Sequence, residues 1–316
     1  MIRIFYTENH LVCKTTEMEM AATIPPESIM WVDLQNPTPE EINEVETRFS
    51  VKLQTQQQSE EIESSSRYFE TDEYIVANSS FLVLENGVST SAPVSLILKD
   101  KILFTLRNSD LKSFAETVRK IKSNNRLFTE GSQVMVSIFE ARVDLDADLI
   151  EVTTKEVSNI SKQLSYKTNI NEDVLLNITR LQETTILIRE NIIDKQRLVS
   201  SLLRSDVFSP ETMEKLRVTL KDINSLLQHT AFSFERLEYL QNTFLGLVNI
   251  EQNKIIKIFT VVSVVFMPPT LIASLYGMNF KVLPELNWTF GYPFAILLMA
   301  SSSIFTLFFF NKKGWL

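Results

Sequence analysis

Hydrophobic and polar residues follow a strand-like spacing in the first part of the chain. Up to about residue 130, short runs rich in β-branched and aromatic residues alternate with amphipathic stretches. Strands are predicted over residues 30–34, 74–77, 81–84, 94–98 and 102–106, and helices over 38–48 and 110–122. This alternation predicts an α/β domain over residues 1–131.

From residue 132 onward the hydrophobic spacing is helical. Helices are predicted over 132–166, over 172–204 and from 210 onward. The last helix begins with Ser209 as N-cap, Pro210 at the first position and Glu211 in the first turn. No proline follows before Pro268, so residues 210–267 predict one helix about 85 Å long. We therefore expect residues 132–257 to form a helical stalk.

Two stretches near the C-terminus carry no charged residue. They cover residues 258–280 and 286–311, and each is long enough to cross a bilayer. We expect membrane spans at 258–276 and 291–311, joined by an external loop over 277–290 that carries the charge of Glu285. Buried core helices are the alternative, but they seldom stay uncharged for this length. The predicted fold class is an α+β membrane protein: an N-terminal α/β domain, a long helical stalk and two C-terminal transmembrane helices.

Charge is divided unevenly between the two parts of the chain. The net charge is -8, yet residues 251–316 carry five lysines against two glutamates, or +3, which leaves -11 for the first 250 residues. Lysines flank both spans on one side, at positions 254, 257, 312 and 313. The positive-inside rule then predicts a multi-pass protein of the inner (plasma) membrane, with the N-terminus and the basic tail 312–316 in the cytoplasm.

Composition excludes several classes of function. The acidic body argues against nucleic acid as a partner. Cys13 is the single cysteine, and His10 and His229 are far apart in sequence, so neither a disulfide nor a local zinc site is expected. Six glycines cannot supply the phosphate-binding or dinucleotide motifs. We expect no organic cofactor and no enzymatic activity.

The polar residues of the first span share one helical face. At about 100° per residue, they lie within an arc of roughly 100°, and they are Asn253, Thr260, Ser263, Met267, Thr270 and Ser274. This stripe fits pore lining and helix packing equally well. A pore would need several copies around one axis, which implies a homo-oligomer, and its uncharged lining would hold an ion weakly.

Four short motifs surround and follow this span. They are YGMNF at 276–280, PEL at 284–286, FGYP at 290–293 and KKGWL at 312–316. Together with the two spans and the acidic N-terminal body, they resemble the CorA family of magnesium transporters, whose signature is a Gly-Met-Asn tripeptide after the first of two C-terminal spans. The resemblance implies a homopentamer in the lipid bilayer, with the first span lining the pore and the second span outside it.

The resemblance also implies which residues meet the ion. Gly277, Met278 and Asn279 would capture hydrated Mg²⁺ at the outer mouth, and the family's pore-facing positions correspond to Asn253, Ile256, Met267 and Thr270. Asn279 would offer a neutral acceptor to the water shell that Mg²⁺ gives up reluctantly. Without the resemblance, Gly277 and Asn279 would be interpreted as a helix cap and turn.

The implied activity is passive Mg²⁺ uptake. A divalent cation gains about 4.6 kcal/mol per 100 mV on entering a negative interior, so no nucleotide site is needed. Family members are thought to close when intracellular Mg²⁺ binds acidic groups between subunits, and a body of charge -11 fits that hypothesis. Apolar side chains on or beside the stripe, at Ile256, Phe259 and Met267, are candidates for a dewetting gate.

The sequence does not identify the regulatory metal site. Acidic groups stand at Asp144, Asp148 and Glu151, at Glu60, Glu61 and Glu63, and at Asp222. A solvated helix face is favoured over a divalent site between subunits, and the spacing that begins at Asp144 departs from a calcium loop at its sixth and twelfth positions.

Two alternatives remain open. The first is a related transporter of Co²⁺, Ni²⁺ or Zn²⁺; zinc-transporting relatives carry Ile where this chain has Met278, which favours Mg²⁺, with Co²⁺ and Ni²⁺ as further cargo. The second is a membrane-anchored scaffold that conducts no ions. An anchor would not need polar residues aligned over six turns.

Overall fold

The N-terminal part of the protein is built on a seven-stranded mixed sheet. The computed structural model describes residues 1–8, 11–54, 67–85, 88–166, 171–279, 284 and 288–314. The strands are β1 (Ile2–Glu8), β2 (Leu11–Thr15), β3 (Ile29–Gln35), β4 (Tyr68–Glu70), β5 (Tyr74–Glu85), β6 (Val88–Lys99) and β7 (Ile102–Arg107), in the order β2-β1-β3-β7-β6-β5-β4. Strands β3 and β7 pair in parallel, whereas the other neighbours pair antiparallel.

Seven α-helices accompany these strands in the described part of the chain. They are α1 (Met18–Thr23), α2 (Pro39–Phe49), α3 (Lys112–Ser123), α4 (Gly131–Tyr166), α5 (Glu172–Leu202), α6 (Pro210–Tyr276) and α7 (Gly291–Lys312). The predicted helices and the five predicted strand runs are confirmed, but the runs at 74–77 and 81–84 form one continuous strand, β5. Strands β1, β2 and β4 and helix α1 were not predicted.

Both faces of the sheet are covered, which explains its mostly apolar strands. One face packs against α3, α4 and α5, and Trp31 and Phe81 of the strands lie there in one buried cluster with Phe114 of α3. The other packs against α2 and includes Val32 and Phe104. Neighbouring strand residues such as Trp31 and Val32 point to opposite faces, as the two-residue period of a strand requires.

The turn between β6 and β7 has an unusual backbone. Asp100 and Lys101 both have positive φ, 47° and 69°, which is the geometry of a two-residue hairpin turn that usually selects glycine or asparagine. Gly131, the first residue of α4, donates its N–H to the Lys101 carbonyl at 2.6 Å. A Cβ at this glycine would stand 2.3 Å from the Leu103 nitrogen, so only glycine fits against the turn.

Two groups of buried charges cross-link the sheet and its helices. On β3, Asp33 accepts hydrogen bonds from Arg107 at 3.1 Å and from Arg3 at 2.5 Å. On α4, Asp146 is paired with Arg142 of the same helix and lies 3.6 Å from the Lys195 ammonium of α5. Burial lowers the pKa of Lys195 to about 8, because desolvation disfavours its charged form.

The described chain divides into two compact units. One contains the described residues up to Leu240, and the other contains those from Gln241 onward. Helix α6 is continuous over 67 residues, about 100 Å at about 1.5 Å per residue. It therefore extends past Pro268 and ends at Tyr276, where the first span was predicted to end.

Candidate functional site

The second unit contains α7 and the apolar C-terminal part of α6. Side chains at regular helical intervals form the contact between these two helices. On α6 the half-buried positions recur at three- and four-residue intervals, at 261, 264, 265, 268, 269, 272 and 276. On α7 the matching face includes Gly291, Ala295 and Phe310, which are buried, with half-buried Ser302, Ser303 and Thr306 between them. Small residues on this face let the two backbones approach. Both helices are long and apolar enough to cross a membrane.

Two prolines inside α6 leave carbonyls without their helical donors. Pro268 and Pro269 have no N–H, so the carbonyls of Val264 and Val265 lose the bond from four residues ahead. The Ser303 hydroxyl of α7 donates to the Val265 carbonyl at 3.4 Å. This contact satisfies a backbone acceptor that would be costly to leave unpaired among apolar side chains. Ser303 was not predicted as a functional residue; the proline four residues after Val265 is the signal that points to a missing donor.

The polar stripe of α6 lies on the other side of the helix from this contact. Its six members are exposed in the single chain, as is Ile256 on the same face: Asn253, Thr260, Ser263, Met267, Thr270 and Ser274. At about 100° per residue, the stripe is centred about 145° from the half-buried face. Packing against α7 therefore does not explain the stripe as a whole, although Thr260 shares a cavity with Phe310 of α7.

Two hydroxyls of the stripe have their hydrogens engaged by their own helix. The Thr260 hydroxyl donates to the Ile256 carbonyl at 2.8 Å, and the Thr270 hydroxyl donates to the Phe266 carbonyl at 2.7 Å. Each threonine oxygen keeps its lone pairs for an outside donor. The apolar candidates Ile256, Phe259 and Met267 are 60%, 69% and 64% exposed, so their side chains are also available at this surface.

The signature tripeptide follows the last turn of α6. Gly277 donates its N–H to the Ala273 carbonyl at 2.9 Å, and Met278 donates to the Leu275 carbonyl at 3.4 Å. Gly277 does not have the positive φ of a left-handed cap, but a Cβ there would lie 3.2 Å from the Ala273 oxygen. Its lack of a side chain matters because of this close approach. Met278 and Asn279 are exposed, and Glu285 lies outside the described residues.

The acidic candidates of the first unit do not assemble into a metal site among the residues that the structure describes. Asp144, Asp148, Glu151 and Asp222 are exposed, and Glu151 pairs with Lys155 at 2.5 Å. Glu60, Glu61 and Glu63 lie outside the described residues. Asp146, which lies between Asp144 and Asp148, is one of the buried charges described above.

Comparison with known proteins decides the family. The family of CorA-like Mg²⁺ transporter proteins matches residues 26–313. The chain belongs to the CorA family. Two curated CorA magnesium transport proteins align over the full length of both chains, one from Wolinella succinogenes at 37% identity and one from Helicobacter pylori at 34%.

A solved structure shares the CorA fold seen here. The CorA magnesium transporter from Methanocaldococcus jannaschii superposes with a TM-score of 0.85, covers 100% of this chain and 99% of its own, and is 21% identical. The predicted fold class is therefore confirmed. The protein is a CorA-family Mg²⁺ transporter, and its two apolar helices are consistent with two membrane spans.

Proposed function

We propose that several copies of this chain enclose a pore in the inner membrane and that Mg²⁺ enters the cell passively through it, with both termini in the cytoplasm. The observation that carries this proposal is the α6 stripe, which is polar, uncharged, exposed and directed away from α7. A single two-helix unit cannot enclose water, so the stripe needs copies of itself. The family resemblance supports five copies.

The signature residues stand where an entering ion would first meet the stripe. Gly277, Met278 and Asn279 directly follow the helix that carries it. Hydrated Mg²⁺ presents water hydrogens rather than a bare charge, because it dehydrates reluctantly. The Asn279 side-chain carbonyl can accept hydrogen bonds from those waters. Selection at the entrance would thus act on the hydrated ion.

Beyond the entrance, the lining would hold the ion weakly. The stripe offers neutral oxygens and apolar side chains, which suits fast passage, and rings of Ile256, Phe259 and Met267 would close the path by excluding water. Uptake follows the membrane potential at about 4.6 kcal/mol per 100 mV. We further propose that intracellular Mg²⁺ closes the pore by neutralising repulsion between the acidic N-terminal parts.

The test is Mg²⁺ influx into liposomes that contain the purified protein, reported by an internal Mg²⁺-sensitive dye. We expect Asn279→Ala to abolish influx while Asn311→Ala, the same change in the last turn of α7, leaves influx unchanged. Size-exclusion chromatography establishes that each variant keeps the wild-type assembly. Equal influx in the two variants would refute selection by Asn279, and the absence of influx in wild-type protein at low internal Mg²⁺ would favour a membrane-anchored scaffold.

The same liposomes separate the stripe from simple helix packing. Thr270→Val removes a hydroxyl from the stripe, whereas Thr306→Val removes one from the half-buried face of α7, where it donates to the Ser302 carbonyl at 2.8 Å. We expect the first to change influx and the second to change thermal stability. Repeating the assay with Co²⁺, Ni²⁺ and Zn²⁺ ranks the alternative cargoes, and stronger influx of Zn²⁺ than of Mg²⁺ would replace the proposed substrate.

A further inference from the structure

The inner end of α7 carries aromatic and basic side chains on one face. Phe305, Phe308, Phe309, Lys312 and Lys313 line a groove of about 540 Å³. Their spacing of three, four, seven and eight residues places them side by side on a helix. We call this set the Phe–Lys face. The three rings are 71%, 65% and 48% exposed, whereas the neighbouring Phe310 is buried on the contact face with α6.

Few carboxylates are available to pair with the lysines at this end of the helix pair. Glu251 is the one carboxylate among the described residues of the second unit, and it pairs with Lys254 at 3.8 Å. Within the part of the chain that the structure describes, Lys257, Lys312 and Lys313 have no carboxylate within ion-pair distance. Three ammonium groups are therefore available to an anion from outside the chain.

A second cavity lies at the same end of the helix pair. Lys257, Thr260, Val261, Phe310 and Gly314 line a space of about 300 Å³. It also joins a lysine to apolar side chains, and Gly314, with its φ of 67°, follows directly after Lys313. The charged parts of both grooves thus lie where α7 ends and the apolar part of α6 begins, and their apolar parts extend along the spans.

We propose that the Phe–Lys face binds an anionic phospholipid of the cytoplasmic leaflet. The rings would contact acyl chains, and Lys312 and Lys313 would donate hydrogen bonds to the phosphate and headgroup. A second copy of the chain in the same orientation fits this face less well, because it would bring its own lysines to the same depth. The inference depends on membrane insertion but not on ion passage.

Brominated lipids, which quench tryptophan on contact, test the inference at two sites on one helix. The full-length protein with Trp288→Phe and Trp315→Phe keeps Trp31, which is fully buried in the N-terminal sheet and adds a constant background. It receives a reporter at the inner end, Phe308→Trp, or at the outer end, Tyr292→Trp. Each variant is reconstituted in phosphatidylcholine with increasing brominated phosphatidylglycerol. It is also reconstituted in phosphatidylglycerol with increasing brominated phosphatidylcholine. We expect phosphatidylglycerol to compete more strongly than phosphatidylcholine at the inner reporter and equally at the outer reporter.

Charge variants on the inner reporter identify the residues responsible. We expect Lys312→Gln and Lys313→Gln each to lower the preference for phosphatidylglycerol about fivefold, and salt to lower it further. The matched control is Lys254→Gln, which removes a lysine already paired with Glu251 and should leave the preference unchanged.

Three results would overturn the proposal. They are equal quenching by both lipids at the inner reporter, a preference that survives the double lysine variant, and loss of the preference when inorganic phosphate is added, which would show that a free anion suffices. Protection of the inner reporter from both lipids would indicate a second copy on the face instead. Because no ion flux is measured, each outcome stands apart from success or failure of Mg²⁺ transport.

Discussion

Gly131 should tolerate no side chain, because the backbone of the β6–β7 turn occupies the space. In Gly131→Ala the new Cβ would stand 2.3 Å from the Leu103 nitrogen, 2.8 Å from the Ile102 carbonyl carbon and 2.8 Å from the Lys101 oxygen. Ordinary contacts of this kind are about 3.5–4.0 Å, so the start of α4 or the turn must move by about 1 Å. The contacted atoms are all backbone, so no side-chain rotation relieves them.

The cost follows from what that movement breaks. Overpacking a buried site costs about 1–3 kcal/mol, and the hydrogen bond from Gly131 to the Lys101 carbonyl contributes about 0.5–1.5 kcal/mol. We expect Gly131→Ala to lower the free energy of unfolding by about 2–4 kcal/mol. For a folded unit of this size that corresponds to a fall in Tm of roughly 4–16 °C.

Thermal unfolding of the detergent-solubilised protein measures the effect, and Gly246→Ala is the matched control. Gly246 lies within α6 with no atom within 4 Å of an added Cβ, so alanine there should raise Tm by about 1–4 °C through its better helix propensity. Hydrogen exchange across residues 101–107 should accelerate in the first variant alone. A Gly131→Ala protein that melts with the wild type would refute the steric argument.

Two further changes test other parts of the structure. Ser303→Ala leaves the Val265 carbonyl without its donor and should destabilise the helix pair by about 0.6 kcal/mol; urea unfolding in detergent micelles measures it, and Ser301→Ala, an exposed serine on the same helix, should have no comparable effect. The pKa of Lys195 is lowered from 10.5 to about 8, so the unfolded chain binds a proton that the folded chain has lost between these values, and stability should rise with pH across this window. Lys195→Met should abolish that rise; Arg142 still pairs with Asp146 in this variant, and an unchanged pH profile would contradict the lowered pKa.

The spacing of hydrophobic residues predicted a strand or helix correctly where one apolar face defines the element. It failed where a polar residue within a strand is satisfied by a partner far away in the sequence. The polar residues Asn78, Ser79 and Ser80 divide the predicted strand in two, yet β5 runs through them. Ser79 donates its hydroxyl and Ser80 its N–H to Asp194 of α5, at 2.9 and 3.2 Å. A partner more than a hundred residues away makes these polar groups acceptable in a buried strand.

Strand β1 was missed for a similar reason. Arg3 places a charge in the middle of the apolar run from Ile2 to Phe5, whose apolar members are all buried. Its guanidinium is satisfied by Asp33, the residue paired with it on β3. Short-range pattern cannot reveal that a charge within a strand has a cross-strand partner.

For the candidate site, helical periodicity was enough to find the stripe but not to explain all of it. The six stripe positions share one face because α6 continues through Pro268 and Pro269 as one helix. To choose between pore lining and packing against α7, one must know which face of α6 contacts α7, and the sequence does not specify that face. Likewise, the close approach of Gly277 to the Ala273 carbonyl depends on backbone geometry that a sequence motif does not specify.

The hydroxyl geometry of Thr260 and Thr270 has a consequence for which sign of ion can pass. Because both hydrogens are directed back to α6 carbonyls, the oxygens turn only lone pairs outward, and an anion finds no donor there. In a proposed pore each ring of threonines would act as a set of fixed dipoles with the negative end inward. Those two rings would disfavour chloride without a formal charge, and a cation passing them would meet no carboxylate that it must then leave.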